Sequence, residues 1–337
     1  MHYMRPTCRF DSPRAIGFRL LFGVLLTTSV AHAEWVSETQ AIMGTRCAVE
    51  LWAEDRAKGE AAIASVFADM HRIDHVMSTW KDDTEISLVN REGAKHPVKI
   101  SEELFKLLQT SAHYSDVTHG AFDITYASVG YLYDFKRGVH PDQKAIDAAL
   151  PGINYRHMVL NAKKNTVYFM RPGMRIDLGG IAKGYSVDRG IEILQKQGIT
   201  RAMVNAGGDT RIIGDRFGKP WVVGVRDPDH EGKVFLKLPL TDTAFSTSGD
   251  YERYFDEDGK RYHHIIDPKT GDSARKCRSV TIISGNATRT DALTKSVFVM
   301  GPEEGIKFID TLPDVDAVAV APDGKVFYSK NLAPPAE

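Results

Sequence analysis

Residues 176–188 read IDLGGIAKGYSVD and join an apolar run, two adjacent glycines and the start of a helical pattern. We expect a strand to end at Asp177, the glycines to form a turn, and a helix to begin near Lys183. The N-terminus of a helix attracts anionic groups, and Lys183 adds a point charge suited to phosphate. The stretch matches neither GxxxxGK[ST] nor GxGxxG. It therefore predicts either an anion site of another kind or a plain strand-to-helix turn.

Outside this stretch, strands and helices do not alternate strictly, which favours an α+β fold over a doubly wound α/β fold. We expect a single two-lobed body of mixed and antiparallel sheets with packed helices. The spacing of apolar residues predicts helices over 60–76, from 101, over 142–150 and 184–197, from about 290, and over 303–311. Alternation and turn residues predict strands at 41–51, 201–205, 210–213, 221–226, 233–240, 262–266, 278–284, 315–321 and 325–328, and a hairpin over 158–170.

The N-terminus has the pattern of a secretory signal. Residues 1–19 carry four arginines and one acid, residues 20–30 form a short apolar run, and Ala31-His32-Ala33 supplies a cleavage site. The run is shorter than the ~20 residues of a membrane span, although an uncleaved anchor is the alternative. No cysteine follows it, so no lipid anchor is expected. We predict cleavage after Ala33, one domain over 34–337, and a periplasmic protein.

The composition excludes several classes of protein. Of 337 residues, 42% are hydrophobic and 26% charged, which excludes wholesale disorder and collagen-like repetition. The net charge of -1 does not favour nucleic-acid binding, because phosphate backbones are bound by clustered basic residues. Three cysteines are too few for a disulfide scaffold. Cys47 and Cys277, which remain after cleavage, either pair or stay as separate thiols.

Eight strings are denser in Gly, Asp, Ser and Thr than packing requires. They are MGT (43–45), STW (78–80), AFDIT (121–125), IDLGGIAKGYSVD (176–188), NAGGD (205–209), STSGDYERYF (246–255), HHIIDPKTG (263–271) and TRTDALTKSVFVMG (288–301). In this order they resemble the ApbE family of FAD:protein FMN transferases. The resemblance runs from about Gln40 to Asp310 and implies an ApbE-like (T-fold-like) architecture.

The resemblance also implies an activity and a set of site residues. FMN would be moved from FAD to a Thr or Ser hydroxyl of an acceptor protein through a phosphoester bond, with release of AMP and with Mg²⁺ as cofactor. The catalytic residue would be His264, and the metal would be held by the Gly180 carbonyl and Asp291. The residues implied to line the FAD pocket are Met43, Trp80, Ala121, Phe122, Asp123, Asp177, Lys183 and Ile266.

The chemistry of several of these residues agrees with such roles. Met43 and Trp80 suit a flat ring, on which apolar and aromatic groups stack. Histidine titrates near neutral pH, and activation of a hydroxyl is a task for a general base. Because neighbours on a strand point to opposite faces, only one of His263 and His264 is expected in the site, and the family match selects His264.

The metal site departs from the family pattern. The family normally places a Thr four residues after the Asp, but this chain has Lys295 there and Thr294 one position earlier. Residues three and four positions apart share a helix face, so we expect Thr294 to complete a magnesium site with Asp291 and Gly180. The alternative is that the Lys295 ammonium replaces part of the cation's charge.

The expected partner is an acceptor flavoprotein subunit of an exported or membrane electron-transfer complex. Two other functions remain open. Water in place of the acceptor hydroxyl would make the protein an FAD pyrophosphatase that yields FMN and AMP. The second alternative is a protein that binds FAD but catalyses no reaction, and Lys295 is the feature that favours it.

Overall fold

The structure is a computed structural model that describes residues 1–2, 33–226 and 233–333. The predicted signal segment lies almost entirely outside these residues. By its internal contacts, the chain from His32 to Glu337 forms one compact unit. None of the helices in the described ranges is both long enough and apolar enough to cross a membrane.

The described residues form helices and strands that we number in chain order. The helices are α1 (Arg56–Met77), α2 (Glu85–Glu92), α3 (Glu102–Val117), α4 (Ala127–Gly130), α5 (Gln143–Ala149), α6 (Ala182–Lys196), α7 (Ala287–Met300) and α8 (Pro302–Ile309). The strands of the largest sheet are β1 (Glu34–Ile42), β2 (Thr45–Ala53), β6 (Ala202–Ala206), β7 (Asp209–Ile213), β10 (Ala244–Gly249), β13 (Ser279–Ser284), β14 (Val315–Val320) and β15 (Val326–Tyr328). The strands of the smaller sheets are β3 (Val98–Lys99), β4 (Met158–Asn161), β5 (Thr166–Phe169), β8 (Trp221–Arg226), β9 (Val234–Leu240), β11 (Tyr254–Glu257) and β12 (Lys260–His263).

The largest sheet has eight strands in the order β1-β2-β6-β7-β10-β13-β14-β15, and neighbouring strands are antiparallel. Along β2 the residues Cys47, Val49 and Leu51 are fully buried and alternate with partly exposed neighbours. This period of two places one face of the strand in the core, as the sequence predicts.

Four helices form a layer against this sheet in the same order as the strands. Helix α1 packs on β1 and β2, α6 on β6 and β7, α7 on β7, β10 and β13, and α8 on β14 and β15. Each of these helices also contacts the next, so that α6 and α7 lie side by side above the middle of the sheet. Antiparallel sheets with packed helices confirm the α+β prediction.

Four local predictions differ from the structure. The strand predicted over 41–51 is interrupted by a turn at Met43 and Gly44, because β1 and β2 pair there as a hairpin. Strand β10 occupies the middle of the sheet, where we had predicted only a polar string, because its hydroxyls pair with other hydroxyls: Ser246 with Thr290 at 2.7 Å and Thr247 with Thr281 at 2.9 Å. No regular strand ends at Asp177, because the side-chain amide of Asn90, rather than a neighbouring strand, bonds the backbone of Ile176. The strand predicted over 262–266 ends at His263.

The two cysteines left open by the sequence are separate. Cys47 and Cys277 are both free and buried, and they belong to different apolar clusters. Burial raises the pKa of Cys47 to about 11 and that of Cys277 to about 12, so both thiols are protonated at neutral pH.

Candidate active site

Two lysines and two aspartates form a buried cluster where the glycine turn meets α7. The ammonium of Lys183 lies 2.9 Å from Asp209 and 3.5 Å from Asp291. Lys295 contacts the other oxygen of Asp291, and both aspartate side chains are almost completely buried. The cluster combines three strings that are far apart in sequence.

A glycine permits this cluster to form. Gly184 lies in the first turn of α6, where backbone amides have no acceptor within the helix, and its amide donates a 3.0 Å hydrogen bond to Asp291. A Cβ added at Gly184 would lie 2.2 Å from the carbonyl oxygen of Ala287 and 2.8 Å from Cβ of Asp291. Only glycine therefore lets α6 and α7 approach this closely.

Asp188 fixes the start of α7 relative to α6. Its carboxylate accepts hydrogen bonds from the amides of Ala287 and Thr288 at 3.0 and 2.8 Å, and from the Thr288 hydroxyl at 2.6 Å. Arg211 pairs with the same carboxylate at 2.8 Å. The last residue of the glycine string thus caps the helix that carries Asp291 and Lys295.

Burial and charge pairing set the protonation of the cluster. Burial opposes ionisation of Asp291, yet Lys183 and Lys295 hold the pKa of its carboxyl below the usual value. Burial and the neighbouring Asp291 raise the pKa of Asp209. Lys183 stays charged, because Asp209 and Asp291 raise its pKa against the effect of burial.

The ligand set predicted for Mg²⁺ is used in other ways here. The Thr294 hydroxyl donates to the Asp291 carbonyl at 2.8 Å and accepts from Ser248 at 3.0 Å. The Asp291 carboxylate is contacted by two ammonium groups, and the stem of Lys295 lies beside Gly180, where a Cβ would be 3.7 Å from its Cγ. Within the described ranges no group of three or more His, Cys, Asp or Glu residues could hold a metal ion. As arranged, these residues do not fit a divalent cation.

Asp177 connects three of the strings. Its carboxylate accepts hydrogen bonds from the hydroxyl of Thr79 at 2.6 Å, the hydroxyl of Tyr126 at 2.9 Å and the amide of Gly179 at 2.7 Å. These bonds hold the loop that carries Trp80 against the glycine turn. The Trp80 side chain itself is 84% exposed, which leaves its ring available to a ligand.

The other residues predicted for the FAD pocket differ in their surroundings. Phe122 lies at the glycine turn, since its ring would be 3.3 Å from a Cβ at Gly180, and Met43 forms the β1–β2 turn with a positive φ of 54°. Phe122 is also buried in an apolar cluster, as are Ala121 and Ile266. The buried carboxylate of Asp123 is bonded within the protein, to Thr125 and to the amide of Tyr155.

The adjacent histidines have different surroundings. His263 is buried, with Nε2 2.6 Å from the Ala274 carbonyl oxygen, and its Nδ1 accepts from the Ile265 amide at 3.3 Å. Nδ1 of His264 is buried without a hydrogen-bond partner in the described chain. Burial and the nearby charge of Arg253 lower the pKa of His264 to about 3, with further contributions from Lys295 and Lys183. His264 is therefore a neutral imidazole beside the cationic groups.

Sequence reasoning did not single out Asp209, Tyr126 or Arg253. Asp209 ends the NAGGD string and pairs with Lys183, and Tyr126 follows AFDIT directly and bonds Asp177. Arg253 lies in the STSGDYERYF string, and its guanidinium is 3.5 Å from the Gly44 carbonyl oxygen. All three fall in or next to strings that the sequence marked, so an inventory of their charged and hydroxyl groups would have found them.

Comparison with known proteins matches residues 43–319 to the ApbE family. The chain is 32% identical to an FAD:protein FMN transferase of Treponema pallidum (strain Nichols), over 93% of this chain and 92% of that protein. It is 30% identical to one of Klebsiella pneumoniae (strain 342), over 87% and 91%.

Solved structures agree with this match. The ApbE protein of Thermotoga maritima superposes with a TM-score of 0.82 at 33% identity, over 88% of this chain and 98% of that one. The flavin transferase ApbE of Vibrio cholerae gives 0.79 at 28% identity, over 88% and 98%. Because the match covers most of the chain in sequence and in structure, this protein belongs to the ApbE family.

Proposed function

We propose that this protein is an FAD:protein FMN transferase. Its place in the ApbE family supports this reaction, and relatives of at least 30% identity carry that name. The observation that carries the proposal is the buried cluster of Lys183, Asp209, Asp291 and Lys295 with the neutral imidazole of His264 nearby. Cationic groups and a neutral base are what attack on a pyrophosphate requires.

The reaction can be written with all atoms accounted for. The oxygen of an acceptor Thr or Ser hydroxyl attacks the phosphorus on the FMN side of FAD and forms a phosphoester bond. The bond from that phosphorus to the bridging oxygen breaks, and AMP leaves with the oxygen. The hydroxyl proton passes to His264. No change in flavin redox state is involved.

The low pKa of free His264 is compatible with its role as base. The imidazole is neutral over the whole physiological range, so it is ready to accept a proton. A bound pyrophosphate adds negative charge and offsets the cations that lower its pKa, so substrate binding increases its basicity.

The lysines and the glycine turn would bind the pyrophosphate. Lys183 and Lys295 are held in place by carboxylates, and this preorganisation lets them neutralise charge without rearrangement. Arg253, whose positive charge helps to lower the pKa of His264, supplies a third cation. The exposed ring of Trp80 offers a surface for the isoalloxazine or adenine ring. The Mg²⁺ requirement stays a prediction that the contacts of Thr294 and Asp291 do not favour, and we assign no step to a metal.

The proposal also includes a location and a partner. The signal-like N-terminus supports export to the periplasm, with an acceptor subunit of an exported or membrane electron-transfer complex as the partner. Fractionation of cells that express the full chain, with N-terminal sequencing of the product, tests cleavage after Ala33.

A gel assay tests the reaction itself. The purified protein is incubated with FAD, with or without Mg²⁺, and with an acceptor domain from an exported electron-transfer protein, and the products are separated under denaturing conditions. Flavin fluorescence on the acceptor band together with AMP is the expected result. Free FMN and AMP without a labelled acceptor would indicate the pyrophosphatase, and bound but unchanged FAD would indicate a binding protein.

The His264→Ala variant identifies the base in the same assay. We expect labelling to fall by at least about a hundredfold, the range of general-base catalysis, while FAD affinity is retained. His71→Ala, on the exposed edge of α1, is the control and should label like the parent. Labelling by His264→Ala at the parental rate would remove His264 from the reaction.

A further inference from the structure

We infer that the Lys295 ammonium takes the place of a divalent cation at Asp291, so that this transferase contacts the pyrophosphate with lysine ammonium groups instead of a metal at this position. The inference rests on the transferase function proposed above. It adds that the positive charge at Asp291 comes from a lysine and not from a metal ion. It differs from the magnesium site that the family resemblance implies.

The position of Lys295 is the first observation. Its ammonium contacts one oxygen of the fully buried Asp291 carboxylate, and its stem lies beside Gly180. The Asp291 carboxylate and the Gly180 carbonyl are the two oxygens that the resemblance assigns to the metal. The side chain of Lys295 is only 17% exposed, so the ammonium lies inside the site rather than in solvent.

The charge balance is the second observation. Asp209 and Asp291 carry two negative charges when ionised, and Lys183 and Lys295 carry two positive charges against them. In the absence of substrate, a divalent cation added to this set would bring it to an excess of two positive charges in a buried place, where like charges repel strongly. Removal of the Lys295 charge would leave a negative excess that attracts a cation.

The hydroxyl that would serve a metal is the third observation. Thr294 donates to the Asp291 carbonyl and accepts from Ser248 in the neighbouring strand β10. With one bond donated and one accepted, the Thr294 oxygen keeps a single lone pair for any metal, and the bond from Ser248 ties this hydroxyl to the sheet. If the flexible side chain of Lys295 moved away from Asp291, the position would become free for a metal ion. Metal binding by the parent protein distinguishes this case from our inference.

Direct binding of Mn²⁺ tests the inference without any reaction. Mn²⁺ shares the preference of Mg²⁺ for oxygen ligands, and its free aqueous ion is measured by electron paramagnetic resonance. The parent and Lys295→Thr are titrated with Mn²⁺, each with and without bound FAD. We expect Lys295→Thr to bind one Mn²⁺ at least about tenfold more tightly than the parent, because an oxygen ligand replaces a repelling charge.

Two controls make the result specific. Lys307→Thr changes a lysine that is 74% exposed on α8 and should leave Mn²⁺ binding as in the parent. Lys295→Met removes the charge without an oxygen ligand and should fall between the parent and Lys295→Thr. If Lys295→Thr does not fold, the parent and Lys295→Met still decide: tight one-site binding by the parent would overturn the inference.

Transfer in the presence of a chelator is the second measurement. We expect the parent to label its acceptor in excess EDTA at no less than about half of its rate with Mg²⁺, and Lys295→Thr to need the metal. Loss of parental labelling in EDTA, with recovery on addition of Mg²⁺, would overturn the inference. Absence of labelling under every condition would refute the transferase function, and the Mn²⁺ titration would then decide the role of Lys295 alone.

Discussion

The Thr79 hydroxyl donates a 2.6 Å hydrogen bond to Asp177, a residue 98 positions later in the chain. Asp177 is predicted to contact FAD, and within the protein its carboxylate accepts hydrogen bonds from Thr79, Tyr126 and the amide of Gly179. The acid thus orients the loop before Trp80 relative to the glycine turn. Besides the predicted contact, Asp177 can influence FAD through the position of that loop.

Thr79→Val should weaken FAD binding without unfolding the protein. The substitution keeps the shape of the side chain and removes one hydrogen bond, which is worth about 1 kcal/mol, so we expect Kd for FAD to rise about fivefold. Thr79→Ser keeps the hydroxyl and should bind as the parent does. Quenching of flavin fluorescence gives both values, and equal affinity of parent and Thr79→Val would show that the loop is held by other contacts.

The pH dependence of transfer should differ between free enzyme and complex. In the free enzyme His264 has a pKa of about 3 and is therefore neutral above that pH. We expect kcat/KM to show no acid limb from His264 between pH 8 and pH 5, since this quantity reports the free enzyme. Bound pyrophosphate raises the pKa, so the acid limb of kcat should appear at a higher pH. An acid limb near pH 6.5 in both profiles would contradict this assignment.

His263 should make the fold less stable in acid. Burial lowers its pKa from 6.5 to about 4, so the unfolded chain binds the proton more tightly than the folded protein does. The contribution of neutral His263 to the free energy of unfolding is present above pH 6.5 and is lost as the pH falls toward 4. Between pH 7 and pH 5 the loss should be about 2 kcal/mol. Urea unfolding of the parent and of His263→Gln, which does not titrate, measures it. The parent should lose more stability than the variant, and equal losses would refute the shift.

Asp188→Ala should destabilise the protein strongly. It removes the cap of α7 and leaves Arg211 without its buried partner, and the loss of one member of a buried pair costs about 3 kcal/mol or more. Asn286→Ala removes the exposed cap on the same turn, which bonds the amide of Arg289, and should cost only about 1 kcal/mol. Similar losses in urea unfolding would mean that Asp188 does not hold the helix.

Gly184→Ala tests the close approach of α6 and α7. The added methyl meets backbone at 2.2 Å, so the helices must separate, and we expect a loss of about 2 kcal/mol in stability. FAD affinity should fall as well, because Lys183 and Asp291 move apart. Gly285→Ala, which meets nothing within 4 Å, serves as the control. An unchanged FAD affinity in Gly184→Ala would show that the cluster tolerates the separation.

Local patterns predicted the long helices but missed the short helix α2 (Glu85–Glu92). The apolar positions of α1 and the serine at the start of α3 were sufficient, and Ser101 does accept from the amide of Leu104. Strand β10 was missed because a run of small polar residues indicates a strand only when its distant partners are known. The partners of Ser246 and Ser248 are on α7, more than forty positions away.

The same limit applies to the site. The strings marked the region, and Lys183, Asp291 and Lys295 are brought together as their chemistry suggested. The sequence left open whether Thr294 or Lys295 faces the Asp291 carboxylate, since both lie on the right side of a helix. Which of the two residues faces the carboxylate depends on contacts outside α7. Ser248 donates a hydrogen bond to the Thr294 hydroxyl, and α6 packs close to α7. The spacing of residues within α7 reveals neither contact.

The contact between Gly184 and Asp291 spans 107 positions of the chain, and this has a consequence for the order of folding. A chain made from its N-terminus has Lys183 and Asp209 long before α7 exists. Until α7 is complete, these residues lack Asp291 and Lys295, and closing so long a loop slows their meeting. The flavin site should therefore be one of the last parts of the molecule to form, and a truncated chain that ends before residue 286 would lack Asp291 and Lys295, half of the charged cluster.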